Sequence, residues 1–122
     1  MASEEYLQIN ERLDKIERLV LMGAKDIILD PGFGFGKTLD ENFAVLCQME
    51  RLSVLNLPLL VGLSRKRMVW QTLNGSPETA LNGTTVLNTI ALQHGASILR
   101  VHDVREAVEV VTLVHSACVD RR

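Results

Sequence analysis

The sequence has few of the residues that mark specialised protein classes. It holds two cysteines, one tryptophan, one tyrosine and three phenylalanines among 122 residues. Cys47 and Cys118 lie far apart and form no C-x-x-C pair, which argues against a disulfide scaffold and against the common zinc motifs. The formal net charge is −2, so charge supplies no argument for binding nucleic acid or an anionic membrane surface.

Long apolar runs are also absent. No run approaches the roughly 20 residues that cross a membrane, and the first residues are polar and charged, unlike a signal peptide. Together with the low cysteine count, these absences predict a protein of the reducing cytoplasm. What the chain does have is 47 % hydrophobic residues, enough for one domain, residues 1–122, with a core of its own.

Glycine is concentrated in one stretch, residues 27–37, around which the rest of the chain is organised. Its apolar start predicts a buried strand, which ends at Asp30 because Pro31 has no N–H to continue a ladder. Three glycines then alternate with two phenylalanines, so the backbone can approach a ligand while aromatic rings wall a pocket. A tight turn that buries its own aromatics is the alternative. The stretch fits neither a Walker loop nor a dinucleotide fingerprint.

Helical and extended patterns alternate along the chain. Apolar spacing predicts helices over 4–22, 39–52, 76–94 and 104–117, a short helical stretch up to residue 73, and strands over 25–29, 57–63 and 97–101. Thr38 with Glu41 predicts a capping box, and Asp103 with Glu106 repeats the pattern. Such alternation predicts an α/β fold with a parallel sheet, in the order α-β-α-β-α-β-α.

Polar side chains follow all three predicted strands. Asp30 ends the first, residues 64–66 (Ser-Arg-Lys) follow the second, and Arg100 and His102 end the third. The carboxyl ends of parallel strands form the edge at which ligands bind. We therefore expect one rim to hold a carboxylate, a lysine, an arginine and a histidine, which suits an anionic group beside a group with N–H donors. Taken singly, each residue also fits an ion pair or a loop cap.

Three segments resemble the C-terminal part of dihydropteroate synthases, in that family's order and spacing. They are Asp-Pro-Gly-Phe-Gly-Phe-Gly-Lys at 30–37, Gly-Leu-Ser-Arg-Lys at 62–66 and Arg-Val-His-Asp-Val at 100–104. The resemblance implies a (β/α)₈ barrel, which needs about 250 residues, so this chain would be a partial TIM barrel of about three parallel strands and four helices. It also implies folate biosynthesis: with Mg²⁺, 6-hydroxymethyl-7,8-dihydropterin pyrophosphate and 4-aminobenzoate condense to 7,8-dihydropteroate and pyrophosphate.

The resemblance also implies a role for each matched residue. Asp30 would bind the N–H donors of the pterin ring, Lys66 would face the pterin and the aminobenzoate, and Arg100 would stack on the pterin. Arg100 and His102 would hold the pyrophosphate, and with Lys66 they are the expected catalytic residues. Four residues would form the 4-aminobenzoate site, where sulfonamides bind: Gly34, Phe35, Arg65 and Arg67.

Two features depart from the family pattern. Arg67 stands where the family has a serine that contacts the aminobenzoate carboxylate. The N-terminal part, with its metal-binding loop and its aminobenzoate lid, is not present. We therefore expect no metal ligand here, no turnover by the isolated chain, and a homodimer or larger species, because open strand edges drive association. The alternatives are a fragment of a pterin-binding methyltransferase, disfavoured by the Ser-Arg-Lys motif, and a non-catalytic homologue that binds a pterin or an anion.

Overall fold

The structure, a computed structural model, describes residues 7–34 and 36–118. The helices are α1 Ile9–Leu21, α2 Leu39–Gln48, α3 Arg67–Trp70, α4 Leu81–Gln93 and α5 Val104–Cys118; the strands are β1 Leu60–Val61 and β2 Ile98–Leu99; and 3₁₀ turns cover Met49–Leu55 and Pro77–Thr79. No helix among the described residues is long and apolar enough to cross a membrane. Cys47 and Cys118 are both exposed and unbonded.

Local chemistry sets several of the helix ends. Thr38 Oγ1 accepts a hydrogen bond from the N–H of Glu41, and the N–H of Thr38 donates to the Glu41 carboxylate, so the predicted capping box is confirmed. The helix expected over 39–52 is α-helical only to Gln48 and continues as a 3₁₀ turn. Gly95 follows α4 with φ 104°, a left-handed conformation that glycine adopts without a steric cost.

The first described helix is less covered than the pattern predicts. It begins at Ile9, directly after Gln8, whose φ of 53° is left-handed. Residues 4–6 of the expected helix lie outside the described residues. Ser3, the expected cap, lies outside the described residues. Ile9 and Ile16 pack against the core, yet no residue of α1 is buried. The apolar face of α1 is therefore only partly used within this chain.

The three predicted strand segments run parallel, with the middle segment between the other two. Three pairs define the register: Leu29 with Leu59, Leu60 with Ile98, and Val61 with Leu99. The regular ladder covers two residues of β1 and β2, and the first segment makes one isolated bridge. The segments are thus shorter as strands than predicted, because among the described residues only the middle one has a neighbour on each side.

The two faces of this small sheet differ. Alternate strand residues point to opposite faces, and one face lies against the helices, with four buried residues: Leu29, Leu59, Val61 and Leu63. The opposite face, here called the open face, carries Ile28, Leu60, Gly62, Ile98 and Arg100. On it Ile28 is 51 % exposed and Ile98 is 37 % exposed. The core therefore lies on one side of the sheet only.

Phe33 belongs to that core. Although it stands in the glycine-rich loop, its side chain is 1 % exposed and joins the cluster of buried apolar residues. Of the two alternatives left open by the sequence, Phe33 therefore fits the turn that buries its own aromatics and not the pocket wall. Its apolar ring is removed from water by packing among the other core residues. Phe35 lies outside the described residues.

Candidate active site at the carboxyl ends of the strands

The glycine-rich loop is held by its own hydrogen bonds. Oδ1 of Asp30 accepts the N–H of Gly32 at 2.8 Å, a side-chain turn that reverses the chain directly after the strand. Nζ of Lys37 donates to the carbonyls of Pro31 and Gly32 at 3.4 and 3.0 Å. Gly32 has φ 76°, a conformation that other residues adopt only with strain. The loop therefore leaves the strand with a defined shape.

Asn42 supports the loop from α2. It is 3 % exposed, its Oδ1 accepts the N–H of Gly34 at 2.9 Å, and its Nδ2 donates to the carbonyl of Thr38 at 3.0 Å. Both ends of this buried amide are thus satisfied. Sequence reasoning missed Asn42, because a polar residue one turn inside a helix gives no signal until the loop beside it is placed.

Lys66 reaches from the second strand segment to the glycine-rich loop. Its Nζ donates to the carbonyl of Phe33 at 2.7 Å, and a Cβ placed on Gly34 would lie 3.7 Å from Cδ of Lys66. Burial lowers the pKa of Lys66, the charge of Arg100 lowers it further, and the carboxylate of Asp30 partly opposes both. Lys66 therefore lies near Gly34, Asp30 and Arg100, which the sequence assigned to the same site.

Arg100 approaches Asp30 across the open face. Its Nη1 lies 3.8 Å from Oδ2 of Asp30, and both side chains are about half exposed. An exposed ion pair of this length contributes little to stability, so a ligand can replace it at small cost. The guanidinium also lies over Gly62, where a Cβ would stand 2.9 Å from Cζ of Arg100.

His102 is linked to the second segment through Ser64. Oγ of Ser64 accepts the backbone N–H of His102 at 3.2 Å and lies 2.8 Å from Nδ1 of its ring. These two residues, with Gly62, Lys66 and Arg100, line a pocket of about 140 Å³. The structure thus places the three expected catalytic residues around one pocket, as their strand-end positions led us to expect. Their chemical roles stay predictions.

Two further arginines were assigned to the aminobenzoate site. The guanidinium of Arg65 donates to both oxygens of Asp103 at 2.9 and 3.2 Å and to the carbonyl of Pro77 at 3.0 Å. The hydrogen bonds and charge of Asp103 raise the pKa of Arg65. Arg65 therefore links the loop after β1 to the start of α5, which is a structural reason for an arginine at this position of the motif.

Arg67 begins α3 and is exposed. The assignment of both arginines to aminobenzoate stays a prediction.

The described residues do not form a metal site. Within 7–34 and 36–118 no three His, Cys, Asp or Glu side chains cluster as a metal ion requires. The donor set therefore does not fit the Mg²⁺ that the resemblance implies, and no step below involves that ion.

His94, interpreted from the sequence as structural, has Nδ1 2.7 Å from Oε2 of Glu50.

Known proteins resemble this chain in sequence and in fold. The family model for pterin binding enzymes matches residues 4–102. A dihydropteroate synthase of Escherichia coli (strain K12) is 48 % identical over 90 residues, which cover 74 % of this chain and 32 % of that protein. Two solved structures are similar to this chain. The Yersinia pestis dihydropteroate synthase with a sulfonamide drug complex has a TM-score of 0.84 and 46 % identity, covering 89 % of this chain and 41 % of that chain. The Coxiella burnetii enzyme in complex with pteroic acid has a TM-score of 0.89 and 35 % identity, covering 96 % and 45 %.

These matches also explain the architecture. The chain spans about a third of the length of the Escherichia coli relative and less than half of either solved structure. It is a partial α/β barrel, and the open face is the side that lines the interior of a complete (β/α)₈ barrel. Asp30, Lys66, Arg100 and His102 all fall within the matched range 4–102. The chain therefore belongs to the family of pterin binding enzymes.

Proposed function

We propose that this chain carries the pterin and pyrophosphate part of a dihydropteroate synthase active site. The observation that supports this most directly is the convergence of four side chains from three consecutive strand ends, three of which line one pocket. Lys66, Arg100 and His102 line this pocket, and Asp30 lies 3.8 Å from Arg100. The similarity to proteins named dihydropteroate synthase supports the same reaction class. The complete enzyme would join 6-hydroxymethyl-7,8-dihydropterin pyrophosphate to 4-aminobenzoate.

Asp30 is suited to the pterin ring. One carboxylate oxygen accepts the N–H of Gly32, and the other faces Arg100 at 3.8 Å, so lone pairs remain for two further donors. A carboxylate forms short, charge-assisted hydrogen bonds with adjacent N–H groups, such as the amino group and ring N–H of a pterin. The pteroic acid in the Coxiella burnetii structure carries a ring of this kind.

The remaining rim residues are suited to the leaving group. In the condensation, the bond between the pterin methylene carbon and the pyrophosphate oxygen breaks, and its electron pair leaves with pyrophosphate. The amine nitrogen of 4-aminobenzoate forms the new C–N bond and releases one proton. Arg100 and His102 stabilise the departing anion by charge and hydrogen bonding, and Lys66 lies between the pocket and the glycine-rich loop, where it can contact both substrates.

The aminobenzoate end is proposed for the glycine-rich loop and the segment after Lys66. The side chain of Lys66 lies beside Gly34, because a Cβ added there would stand 3.7 Å from its Cδ. Arg67 is exposed one residue further along the chain, where its guanidinium can meet a carboxylate. Phe35 and Arg65 complete this proposed site, which a sulfonamide drug would occupy. The Yersinia pestis dihydropteroate synthase has been solved with a sulfonamide drug, which supports a sulfonamide site in the complete enzyme.

The isolated chain is proposed to be inactive and to self-associate. Its open face exposes Ile28 and Ile98, and its outer strand edges lack a partner among the described residues. Exposed apolar surface and free edges promote association with a second chain. Residues on one rim also cannot exclude water from the reaction.

A chimera tests the proposed reaction. The chain replaces the matching C-terminal part of the Escherichia coli dihydropteroate synthase, and turnover is followed with both substrates and Mg²⁺. We expect dihydropteroate formation, abolished when Arg100 and His102 are both replaced by Ala. A folded chimera that binds the pterin substrate without turnover would favour the non-catalytic homologue. One that binds no pterin pyrophosphate but binds a methylated folate would favour the methyltransferase. Either result would contradict the proposal.

A further inference from the structure

The contact between Ser64 and His102 bears on which ring nitrogen of His102 carries the hydrogen when the ring is neutral. Oγ of Ser64 accepts the backbone N–H of His102 at 3.2 Å and lies 2.8 Å from Nδ1. A serine hydroxyl has one hydrogen to donate and two lone pairs to accept. The backbone N–H occupies one lone pair, so the question is which partner supplies the hydrogen in the contact with Nδ1.

Two arrangements are possible for the neutral ring. If Nδ1 carried the hydrogen, Oγ would accept twice, and the hydroxyl hydrogen would need another acceptor. Ser64 is 7 % exposed, and the described part of the chain shows no hydrogen bond from its Oγ to any group besides His102. If the hydroxyl donates to Nδ1, every group is satisfied, as buried polar groups generally are. The ring hydrogen then lies on Nε2.

We propose that Ser64 is a positioning residue that holds the neutral ring of His102 in its Nε2–H form. Nε2 is the nitrogen that Ser64 does not contact, and in this form it is a hydrogen-bond donor. Ser64, Lys66, Arg100 and His102 line one pocket, so an anion there would meet an N–H of the ring beside the two cationic side chains. The use of this N–H on an anion rests on the proposed function, whereas the position of the hydrogen does not.

His94 is an internal reference, because its hydrogen-bond partner favours the opposite tautomer from that proposed for His102. Its Nδ1 lies 2.7 Å from Oε2 of Glu50, and an ionised carboxylate can only accept hydrogen bonds. The neutral ring of His94 should therefore carry its hydrogen on Nδ1. The same molecule thus contains two histidines whose partners demand opposite tautomers.

Nuclear magnetic resonance tests the inference on the full chain. Long-range ¹H–¹⁵N spectra of ¹⁵N-labelled protein, in alkaline buffer where imidazoles are neutral, distinguish a protonated ring nitrogen from a bare one. We expect His102 to show a bare Nδ1 and a protonated Nε2, and His94 to show the reverse. In Ser64→Ala, a second population of His102 with the hydrogen on Nδ1 should appear while His94 stays unchanged.

Ser97→Ala is the matched control. Its Oγ accepts a backbone N–H, that of Leu59, at 3.4 Å, so its loss should leave the His102 signals as in the unsubstituted chain. Hydrogen on Nδ1 of His102 in the unsubstituted chain would overturn the inference, and so would an unchanged His102 in a folded Ser64→Ala variant. If that variant does not fold, the spectrum of the unsubstituted chain still decides between the two arrangements.

A titration with pyrophosphate separates this inference from the proposed function. In the unsubstituted chain, pyrophosphate should shift the Nε2 signals of His102 and leave those of His94 in place. If the Nε2–H form is present but pyrophosphate shifts nothing, Ser64 keeps its positioning role and the anion site of the proposed function is contradicted.

Discussion

The guanidinium of Arg100 lies against the α-carbon of Gly62, on the open face of the sheet. A Cβ at position 62 would stand 2.9 Å from Cζ and 3.0 Å from Nε of Arg100, closer than packed atoms approach. Gly62 is not among the glycines with positive φ. Glycine is therefore needed at this position for the space above it and not for its backbone conformation.

We expect Gly62→Ala to displace Arg100 and leave the fold intact. The atoms that must move are at the end of a flexible side chain, so the free energy of unfolding should change by less than about 1 kcal/mol. Pyrophosphate affinity should fall by about tenfold, the cost of roughly one charge-assisted hydrogen bond. Denaturant unfolding and calorimetry measure the two effects. In an Arg100→Ala background, Gly62→Ala should reduce affinity no further; an additive loss would show that it acts elsewhere.

Asp30→Ala should weaken binding of the pterin substrate to the chimera by about 1.5–3 kcal/mol, the range for hydrogen bonds to a charged group, or roughly 10- to 150-fold. Asp40→Ala is the control, because Asp40 is an exposed acid in the first turn of α2. Calorimetric titration gives both dissociation constants. Equal affinity for the Asp30→Ala variant and the unsubstituted chimera would contradict the role of Asp30.

Arg67→Ser should alter the aminobenzoate end of the site and spare the pterin end. Arg67 follows Lys66 directly and is exposed at the start of α3, so its guanidinium can meet only the outer part of a substrate. In the chimera, we expect a several-fold change in KM for 4-aminobenzoate and a smaller one for the pterin substrate. Steady-state kinetics with each substrate varied in turn is the measurement. A change in KM for the pterin substrate alone would contradict the assignment of Arg67 to the aminobenzoate end.

The pKa of Lys66 should respond to its two charged neighbours in opposite directions. Arg100→Gln should raise the pKa of Lys66, because it removes a repelling charge, and Asp30→Asn should lower it further. Titration of the ¹³Cε resonance of Lys66 measures both. Because burial and Arg100 hold this pKa below the unfolded value of about 10.4, the native state binds fewer protons in that window. Stability should therefore rise with pH between the folded and unfolded pKa values of Lys66. A downward shift in Arg100→Gln would contradict the assignment.

The isolated chain should be a dimer or larger at micromolar concentration. Ile98 lies on the open face, in a strand whose outer edge has no partner among the described residues. Ile98→Lys should therefore reduce association by introducing a charge there. Val54→Lys is the control, since Val54 is an exposed apolar residue of a 3₁₀ turn and not of a strand. Light scattering measures the mass of each variant. A stable monomer of the unsubstituted chain would contradict this prediction.

Sequence patterns did not predict every part of the molecule equally well. Gln8, within the helix expected over 4–22, has a left-handed φ of 53° directly before α1 begins at Ile9. This conformation leaves no mark in apolar spacing. For Phe33 the sequence left open a pocket wall and a buried turn, and the structure shows the side chain buried in the core. Helical periodicity reports which residues share a face, but it does not report whether another element covers that face. The partly covered α1 and the open face are examples of this difference.

What the sequence determined by itself is local: the alternation of helices and strands, the capping box of Thr38 and Glu41, and the strand-end positions of the polar residues. Each depends on residues within one or two turns of each other, whose spacing is read directly from the chain. Only the tertiary structure decided that Ser64 pairs with His102 and Arg65 with Asp103, partners 38 residues apart. Such pairs depend on the register between neighbouring parallel strands, and this register is set by side-chain packing over the whole core, which no local pattern records.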